Sequence, residues 1–312
     1  MLRTFGYFRF GFLRGSVPRI FKRLPLGLFM TTINPMQNDF IAQIIGIDLA
    51  GPIEEKTFAK IQTELHEFGV IHFPKQKLTP SALSSFTKLW GKPDVHHLAE
   101  HTFPEHPEIR VLSNVKKDGK LVGAFRGGNF WHSDLSYLKK TGYVTLLYGI
   151  ECPSEGGDTL FADMRRLYEN LPTAIRVQIE GKMAVHDRNY RYSALYPERP
   201  PLTKSQLASV PPVEHPAVIT HPVTKKKSVF LYKEIIRTIG ELDQETTWAL
   251  IEKIEGLLDN DDFVYRHEWD PGDLVIWDNR CTLHSATPYD SEKFRRVLYR
   301  TQVSGELPAY VA

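Results

Sequence analysis

Residues 128–137 read Gly-Asn-Phe-Trp-His-Ser-Asp-Leu-Ser-Tyr, and within them His132 and Asp134 stand one residue apart. In an extended chain successive side chains alternate, so this imidazole and this carboxylate point to the same side. One nitrogen and one oxygen donor on one side are two-thirds of a 2-His-1-carboxylate facial triad. That arrangement holds Fe(II) and leaves positions open for small molecules. Alone the pair is weak, because twelve histidines give ample opportunity for a chance His-x-Asp. A third ligand decides its value. His284 stands 150 residues beyond Asp134 and is reachable if the intervening strands pair in one barrel.

A second chemical stretch is Arg295-Arg296-Val297-Leu298-Tyr299-Arg300. Alternation puts Arg296, Leu298 and Arg300 on one face and Arg295, Val297 and Tyr299 on the other, with Arg296 and Arg300 about 13 Å apart. Two cations facing a barrel interior repel one another unless anions lie beside them. A cosubstrate carboxylate and an acidic substrate would serve, since the guanidinium fork binds such groups in bidentate fashion. The competing reading is a solvated basic edge strand. His96, His97, His101 and His106 fall in a polar stretch without closed-site spacing, so most read as loop residues. His96 or His97 could still reach a pocket as a neutral hydrogen-bonding group. His66 and His72 read as scaffold. The run 153–161, Pro-Ser-Glu-Gly-Gly-Asp-Thr-Leu-Phe, is a glycine turn into an extended piece, with no phosphate-cradle frame.

Positioning these groups falls to the elements around them. Phe40 to Leu49 is predicted as a first strand. A helix follows over 54–68, with Phe58, Ile61, Leu65 and Phe68 on one face. Gly69 ends it, and Val70–Phe73 is a short buried strand. Thr79 and Pro80 open a second helix that runs to Trp90. Tyr143–Ile150 is another strand; Asp163 caps a helix to Leu171, Pro172 starts one to Gly181, and Asp243 caps the last. Residues 186–230 hold seven prolines and no clean periodicity, which predicts a long lid-like loop ordered by its tyrosines. Phe263–Trp269 and Leu274–Trp277, joined through Asp270-Pro271-Gly272-Asp273, read as an antiparallel pair across a type II turn. Arg295 to Val303 is the final strand.

Composition narrows the function class. A chain of 312 residues with 42% hydrophobic and 24% charged side chains is ordinary for a globular protein of one or two domains. A net charge of +2 gives no signal for nucleic acid. No apolar run is long enough for a membrane span. Two cysteines exclude a disulfide framework or a Cys-rich zinc site and suit a reducing compartment. Residues 1–38 carry six basic and no acidic side chains, the composition of a mitochondrial transit peptide. The alternative is an upstream extension with the true start at Met30 or Met36. The address is therefore cytoplasmic or mitochondrial, and the expected organisation is an extension over 1–37, one domain over 38–305 and a tail over 306–312.

Four motifs in order now carry a resemblance. Gly128–Asp134 is similar to a W-H-[ST]-D segment, and Pro153–Thr159 to P-x-x-G-G-D-T. Gly272–Arg280 with His284 is similar to G-D-[LI]-x-x-W-D-N-R-x-x-x-H, and Arg295–Arg300 to R-R-x-x-x-R. Over about 38–305 the chain resembles the Fe(II)/2-oxoglutarate-dependent dioxygenases that include the taurine and 2,4-dichlorophenoxyacetate enzymes. Its 263–290 wording is nearer the phenoxyacetate branch. The resemblance implies an α+β fold, a double-stranded β-helix of the jelly-roll and cupin kind with flanking helices. It implies that His132, Asp134 and His284 bind iron and that Thr159 and Arg296 hold the distal carboxylate of 2-oxoglutarate. Arg300 would face the anionic group of a small organic carboxylate or sulfonate, with His96 on the substrate side. Dioxygen would be the oxidant, and a homo-oligomer is compatible. Spacing from His284 leaves Arg295 a competitor to Arg296, and Lys225 stands where the family has glycine in the turn after His221. A zinc hydrolase on the same ligands and a non-catalytic jelly roll are the rivals.

Overall fold

The computed structural model describes residues 31–95, 101–125, 128–197 and 200–312. The chain opens with β1 (Thr32–Met36) and β2 (Ile41–Ile45), then α1 (Glu55–Phe68), β3 (Val70–Phe73), α2 (Pro80–Trp90) and β4 (Arg110–Ser113). Two short strands, β5 (Lys116–Lys117) and β6 (Lys120–Leu121), lead to the long β7 (Gly142–Glu151), β8 (Thr159–Asp163), α3 (Met164–Glu169) and α4 (Thr173–Ile179). Next come β9 (Met183–His186), α5 (Tyr192–Leu195), α6 (Lys204–Ser209), β10 (Val213–Pro216), β11 (Val218–Thr220), β12 (Lys227–Val229) and β13 (Ile236–Ile239). The chain finishes with α7 (Gln244–Glu255), β14 (Val264–His267), β15 (Leu274–Asp278), β16 (Thr282–Ala286) and β17 (Val297–Ser304).

The helix boundaries follow the capping chemistry in the sequence. Thr79 Oγ1 accepts from Ala82 N at 3.2 Å with Pro80 in the first turn, and Gly69 closes α1 through its N–H to Leu65 O. Asp163 and Asp243 cap α3 and α7 through side-chain oxygens. Alternation then sorts the sheet faces. The seven-stranded sheet, in order β1-β2-β3-β15-β7-β17-β4, turns Ile71, Phe73, Leu146 and Ile276 toward Leu65, Leu83 and Trp90 of α1 and α2. From its other face, Val70, Leu147, Val275, Trp277 and Leu298 join Phe161 of the three-stranded sheet β14-β8-β16 in one buried cluster. That inner layer is the core of the double-stranded β-helix. A third cluster packs α3 and α7 against β11, β12 and β13.

Three expectations change. Strand β1 pairs along its whole length with β2, so the sheet begins inside the stretch read as an extension. Residues 1–30, on which the transit-peptide reading falls, lie outside the described residues. The run 186–230 is no structureless loop: β10, β11 and β12 lie within it, β10 paired with β9 and β11 with β12. Its prolines sit at strand ends and between elements, where no ladder N–H is lost. The predicted β14–β15 hairpin does not form. Strand β14 pairs with β8, whereas β15 lies between β3 and β7, so the Asp270–Asp273 turn carries the chain from one sheet to the other. Gly272 does adopt φ +92, as the Pro-Gly turn requires, but its N–H donates to Gly149 O and its carbonyl accepts from Gln76 N. Those bonds fix a corner. Among the described residues no helix is long and apolar enough to cross a membrane.

Candidate active site

His284 lies inside β16, and its backbone exchanges two hydrogen bonds with His132, at 2.9 and 3.0 Å. This isolated antiparallel bridge brings together two residues far apart in sequence, with ring centroids 4.0 Å apart. The chain runs extended through His132 and turns at Asp134, so the alternation argument places the carboxylate beside both rings. Donor atoms of His132, Asp134 and His284 all lie within 4.8 Å of one another. His284 Nε2 is 3.6 Å from Asp134 Oδ2. His132 Nδ1 lies 2.8 Å from the Phe130 carbonyl; as the N–H donor there, it leaves Nε2 with a free lone pair.

Electrostatics keep these groups in their ligating forms. Burial lowers the pKa of His132 and pushes that of His284 well down, so both rings are neutral. Burial alone would raise the Asp134 carboxyl, but the charge of the neighbouring Arg300 guanidinium leads the groups that outweigh it and draw the carboxyl down to about 2. Two neutral imidazoles and one ionised carboxylate, converging, with Asp134 and His284 buried and His132 half-buried, fit a divalent iron ion.

Several residues that sequence reasoning missed hold this geometry. Asn279 Oδ1 accepts from Asp134 N at 3.1 Å and from Trp277 Nε1 at 3.1 Å, and its own carbonyl accepts from Ser133 Oγ at 2.9 Å. Asn279 Nδ2 donates to Thr145 Oγ1 at 3.0 Å, which donates to Asp134 Oδ2 at 2.8 Å. The only sequence signal was that Asn279 lies in the W-D-N-R motif; Thr145 gave none. Its neighbours act one layer further out. Asp278 is fully buried, and Arg280 and His221 hold its carboxyl well below the usual range against the effect of burial. His221 Nε2 donates to Asp278 Oδ2 at 3.0 Å, while its Nδ1 accepts the Val223 and Thr224 N–H groups. Lys225, in the glycine position, takes φ +62, so the turn persists with lysine in a left-handed conformation.

A cavity of about 430 Å³ opens over the three ligand candidates. Thr159, Arg296 and Arg300 line it. Thr159 Oγ1 accepts from Trp269 Nε1 at 3.0 Å, and Arg296 Nε donates to Gly157 O at 2.9 Å. A Cβ on Gly157 would stand 3.2 Å from Arg296 Cδ and Nε, so the glycine lets the arginine lie against the turn. Arg300 Nη1 stands 3.3 Å from Asp134 Oδ1, and its buried Nε has no hydrogen-bond partner. Arg295 points elsewhere. It is 64% exposed and clasps Glu151 through Nε at 2.7 Å and Nη2 at 3.0 Å. Arg110 and Arg188 also line the cavity, Arg110 directly opposite Arg300 across the β4–β17 ladder. His96 lies outside the described residues.

Comparison with known proteins agrees with this architecture. Residues 32–302 match the family described as "Taurine catabolism dioxygenase TauD, TfdA family". An α-ketoglutarate-dependent 2,4-dichlorophenoxyacetate dioxygenase from Burkholderia sp. (strain RASC) is 31% identical over 280 residues, covering 85% of this chain and 92% of its own. An α-ketoglutarate-dependent sulfate ester dioxygenase from Pseudomonas putida is 28% identical, covering 89% of this chain and 91% of its own. The crystal structure of AAD-2 in complex with Mn(II) and N-oxalylglycine superposes with a TM-score of 0.77 at 26% identity, covering 90% of this chain and all 100% of that one. The chain therefore belongs to the TauD/TfdA family and is an α-ketoglutarate-dependent dioxygenase, of a family that works with Fe(II), 2-oxoglutarate and dioxygen.

Proposed function

We propose that this dioxygenase hydroxylates a small organic anion with an aryl or alkyl body, of the aryloxyalkanoate, sulfonate or sulfate-ester class. In this reading His132, Asp134 and His284 hold the iron. Thr159 and Arg296 hold the distal carboxylate of 2-oxoglutarate, and Arg300 receives the anionic group of the substrate. The observation that carries it is the charge of the cavity. Its described lining contains Arg110, Arg188, Arg296 and Arg300 against a single carboxylate, Asp134, which the metal would engage. Cosubstrate and substrate must together supply the missing negative charge, and the buried, unpartnered Nε of Arg300 marks one place where it goes. Phe125, Leu195, Tyr196 and Ile235 give the same cavity an apolar wall.

With iron bound, the site couples oxidative decarboxylation of 2-oxoglutarate, to succinate and carbon dioxide, with transfer of one oxygen atom to a substrate C–H bond. The chain's own part is positioning. The Asn279–Thr145 relay fixes the Asp134 carboxylate, the Phe130 carbonyl fixes the His132 ring, and the arginines orient the two anions. Arg188, Leu195 and Tyr196 come from the 186–230 segment, which serves as a lid that keeps water from the reacting centre. A carbon hydroxylated beside oxygen or sulfur collapses to a carbonyl, releasing a phenol from an aryloxyalkanoate, sulfite from a sulfonate or sulfate from a sulfate ester. Two of the relatives act on substrates of these kinds: 2,4-dichlorophenoxyacetate and sulfate esters.

The test is succinate formation under air with Fe(II), 2-oxoglutarate and a panel of aryloxyacetates, alkylsulfonates and alkyl sulfates, each aryloxyacetate beside its uncharged methyl ester. An anion should stimulate turnover where its ester does not, and Arg300→Gln should weaken that anion. An ester that works as well as its acid would overturn the reading.

A further inference from the structure

A second cluster of the same donor types lies outside the cavity. His72 from β3, His267 at the end of β14 and Asp273 just before β15 are all buried, and one ligand atom of each lies within 4.8 Å of the other two. His72 Nε2 is 3.1 Å from Asp273 Oδ1, and His267 Nε2 is 3.2 Å from Asp273 Oδ2. Alternation along β15 sets Asp273, Val275 and Trp277 on one face, about 13 Å from first to last. Trp277 rests on His284, ring centroids 4.7 Å apart, so Val275 and Trp277 stand between the two clusters.

We propose that His72, His267 and Asp273 form a zinc site distinct from the iron centre. The argument is geometric. Both Nε2 atoms are buried beside Asp273 and help to hold its carboxyl well below the usual range, yet neither meets its oxygen with the alignment of a full hydrogen bond. Their N–H directions therefore miss the oxygens. Two ligands of one ion look like this: with metal–ligand distances of about 2.0–2.1 Å and ligand atoms just over 3 Å apart, the ion sits about 40° off the line between them. A plain His–Asp hydrogen bond would instead be near linear. The ring of His267 is pinned from behind, its Nδ1 lying 3.2 Å from the Tyr265 hydroxyl. The tautomer that donates Nδ1–H to that oxygen leaves Nε2 free as a ligand.

Two imidazoles and a carboxylate suit zinc, which binds such donors more tightly than Fe(II) in the general order of divalent metals. The three residues border a cleft also lined by Gln43, Lys75, Glu268 and Asp270, from which a water would supply a fourth ligand. The site has a structural consequence. His72 and Asp273 belong to the seven-stranded sheet and its corner, and His267 to the three-stranded sheet, so one ion would tie the two walls of the β-helix together.

The experiment separates the sites by removing the first. Full-length His132→Ala/His284→Ala protein, dialysed against micromolar Zn²⁺, should retain about one zinc per chain, and its melting temperature should rise with zinc. Adding His72→Gln or Asp273→Asn should weaken that zinc more than about 100-fold, beyond what loss of a supporting partner alone costs. Should either further variant fail to fold, Co²⁺ titrated into the His132→Ala/His284→Ala protein gives the answer, because tetrahedral cobalt shows intense visible bands. Absence of stoichiometric zinc in the His132→Ala/His284→Ala protein overturns the proposal. So does zinc binding that His72→Gln leaves unchanged, or bound cobalt with the weak spectrum of an octahedral ion.

Discussion

Thr145→Val tests the positioning argument with little change of shape. The side chain is fully buried on β7, and valine occupies nearly the same volume. The substitution removes the donor to Asp134 Oδ2 at 2.8 Å and the acceptor of Asn279 Nδ2 at 3.0 Å. Leaving a buried amide N–H without its partner costs about 1–3 kcal/mol, so urea unfolding should show a loss of that size. The metal effect is separate. Without Thr145, the Asp134 carboxylate is held on one side only by Arg300, at 3.3 Å from Oδ1, and is free to turn toward it. Loss of such a supporting partner costs about 10- to 100-fold in metal affinity, equivalent to about 1.4–2.7 kcal/mol. Anaerobic titration with Fe(II), or with Mn(II) followed by EPR, measures it. Thr145→Ser keeps the hydroxyl and should bind metal like the parent. Equal metal affinity in the valine and parent proteins would refute the relay, as would a serine variant as weak as the valine.

Three further outcomes are expected. Arg296→Gln should raise the apparent KM for 2-oxoglutarate by about 30- to several-thousand-fold, the equivalent of about 2–5 kcal/mol for one partner of a desolvated ion pair; Arg295→Gln, on the exposed side with Glu151, should leave it unchanged. Burial, with Glu234 and Glu252 nearby, pushes the Glu255 carboxyl up to about 7. The folded state thus keeps a proton that the unfolded chain gives up at about 4.3, and stability falls as pH rises from there to about 7. Glu255→Gln should accordingly raise the melting temperature more at pH 8 than at pH 4.5, and an equal shift at both would contradict the assignment. Hydrogen exchange around residues 188–196 should slow when 2-oxoglutarate, Mn(II) and an anionic substrate are bound, and unchanged protection would remove the lid.

Local rules made much of the frame legible. Caps at Thr79, Asp163 and Asp243 and the stripe from Phe58 to Phe68 set helix positions, because one side chain and a few backbone groups decide them. The His132-x-Asp134 spacing put two donors on one side, and the closeness of His284 followed once strands could bridge. Pairing partners were not legible. The Pro-Gly turn is real, but whether it closes a hairpin or a corner depends on which strand claims the N–H groups of β14, and β8 claims them. Alternation on β17 separated Arg295 from Arg296 in the right sense even though a bulge follows Val297, since Arg296 lies just before the strand. The 186–230 strands were hidden because each is only three or four residues long, too short for a period to show, with prolines at the end of β10 and between the elements.

The W-D-N-R stretch shows why a motif can be specific in wording yet misleading about chemistry. It contains an aspartate and an arginine, the residue types of acid–base and anion-binding work, and neither lines the cavity. Asp278 is bound by Arg280 through Nε at 2.8 Å and by His221 from the far side. The Arg280 guanidinium in turn lies 4.2 Å above the Tyr143 ring. Removing one member would leave a buried charge uncompensated, a cost of about 3–5 kcal/mol, whereas the intact group adds little net stability over an apolar replacement. What it provides is a fixed backbone at the end of β15. Asn279, the next residue, then presents one carbonyl oxygen to Asp134 N and Trp277 Nε1, and one amide to Thr145. The charged pair holds the asparagine, the asparagine holds the ligand loop, and the loop sets where the carboxylate meets the two histidines. Sequence reasoning looks for groups that touch substrate; here the two charged residues of the most strongly worded motif act two contacts away.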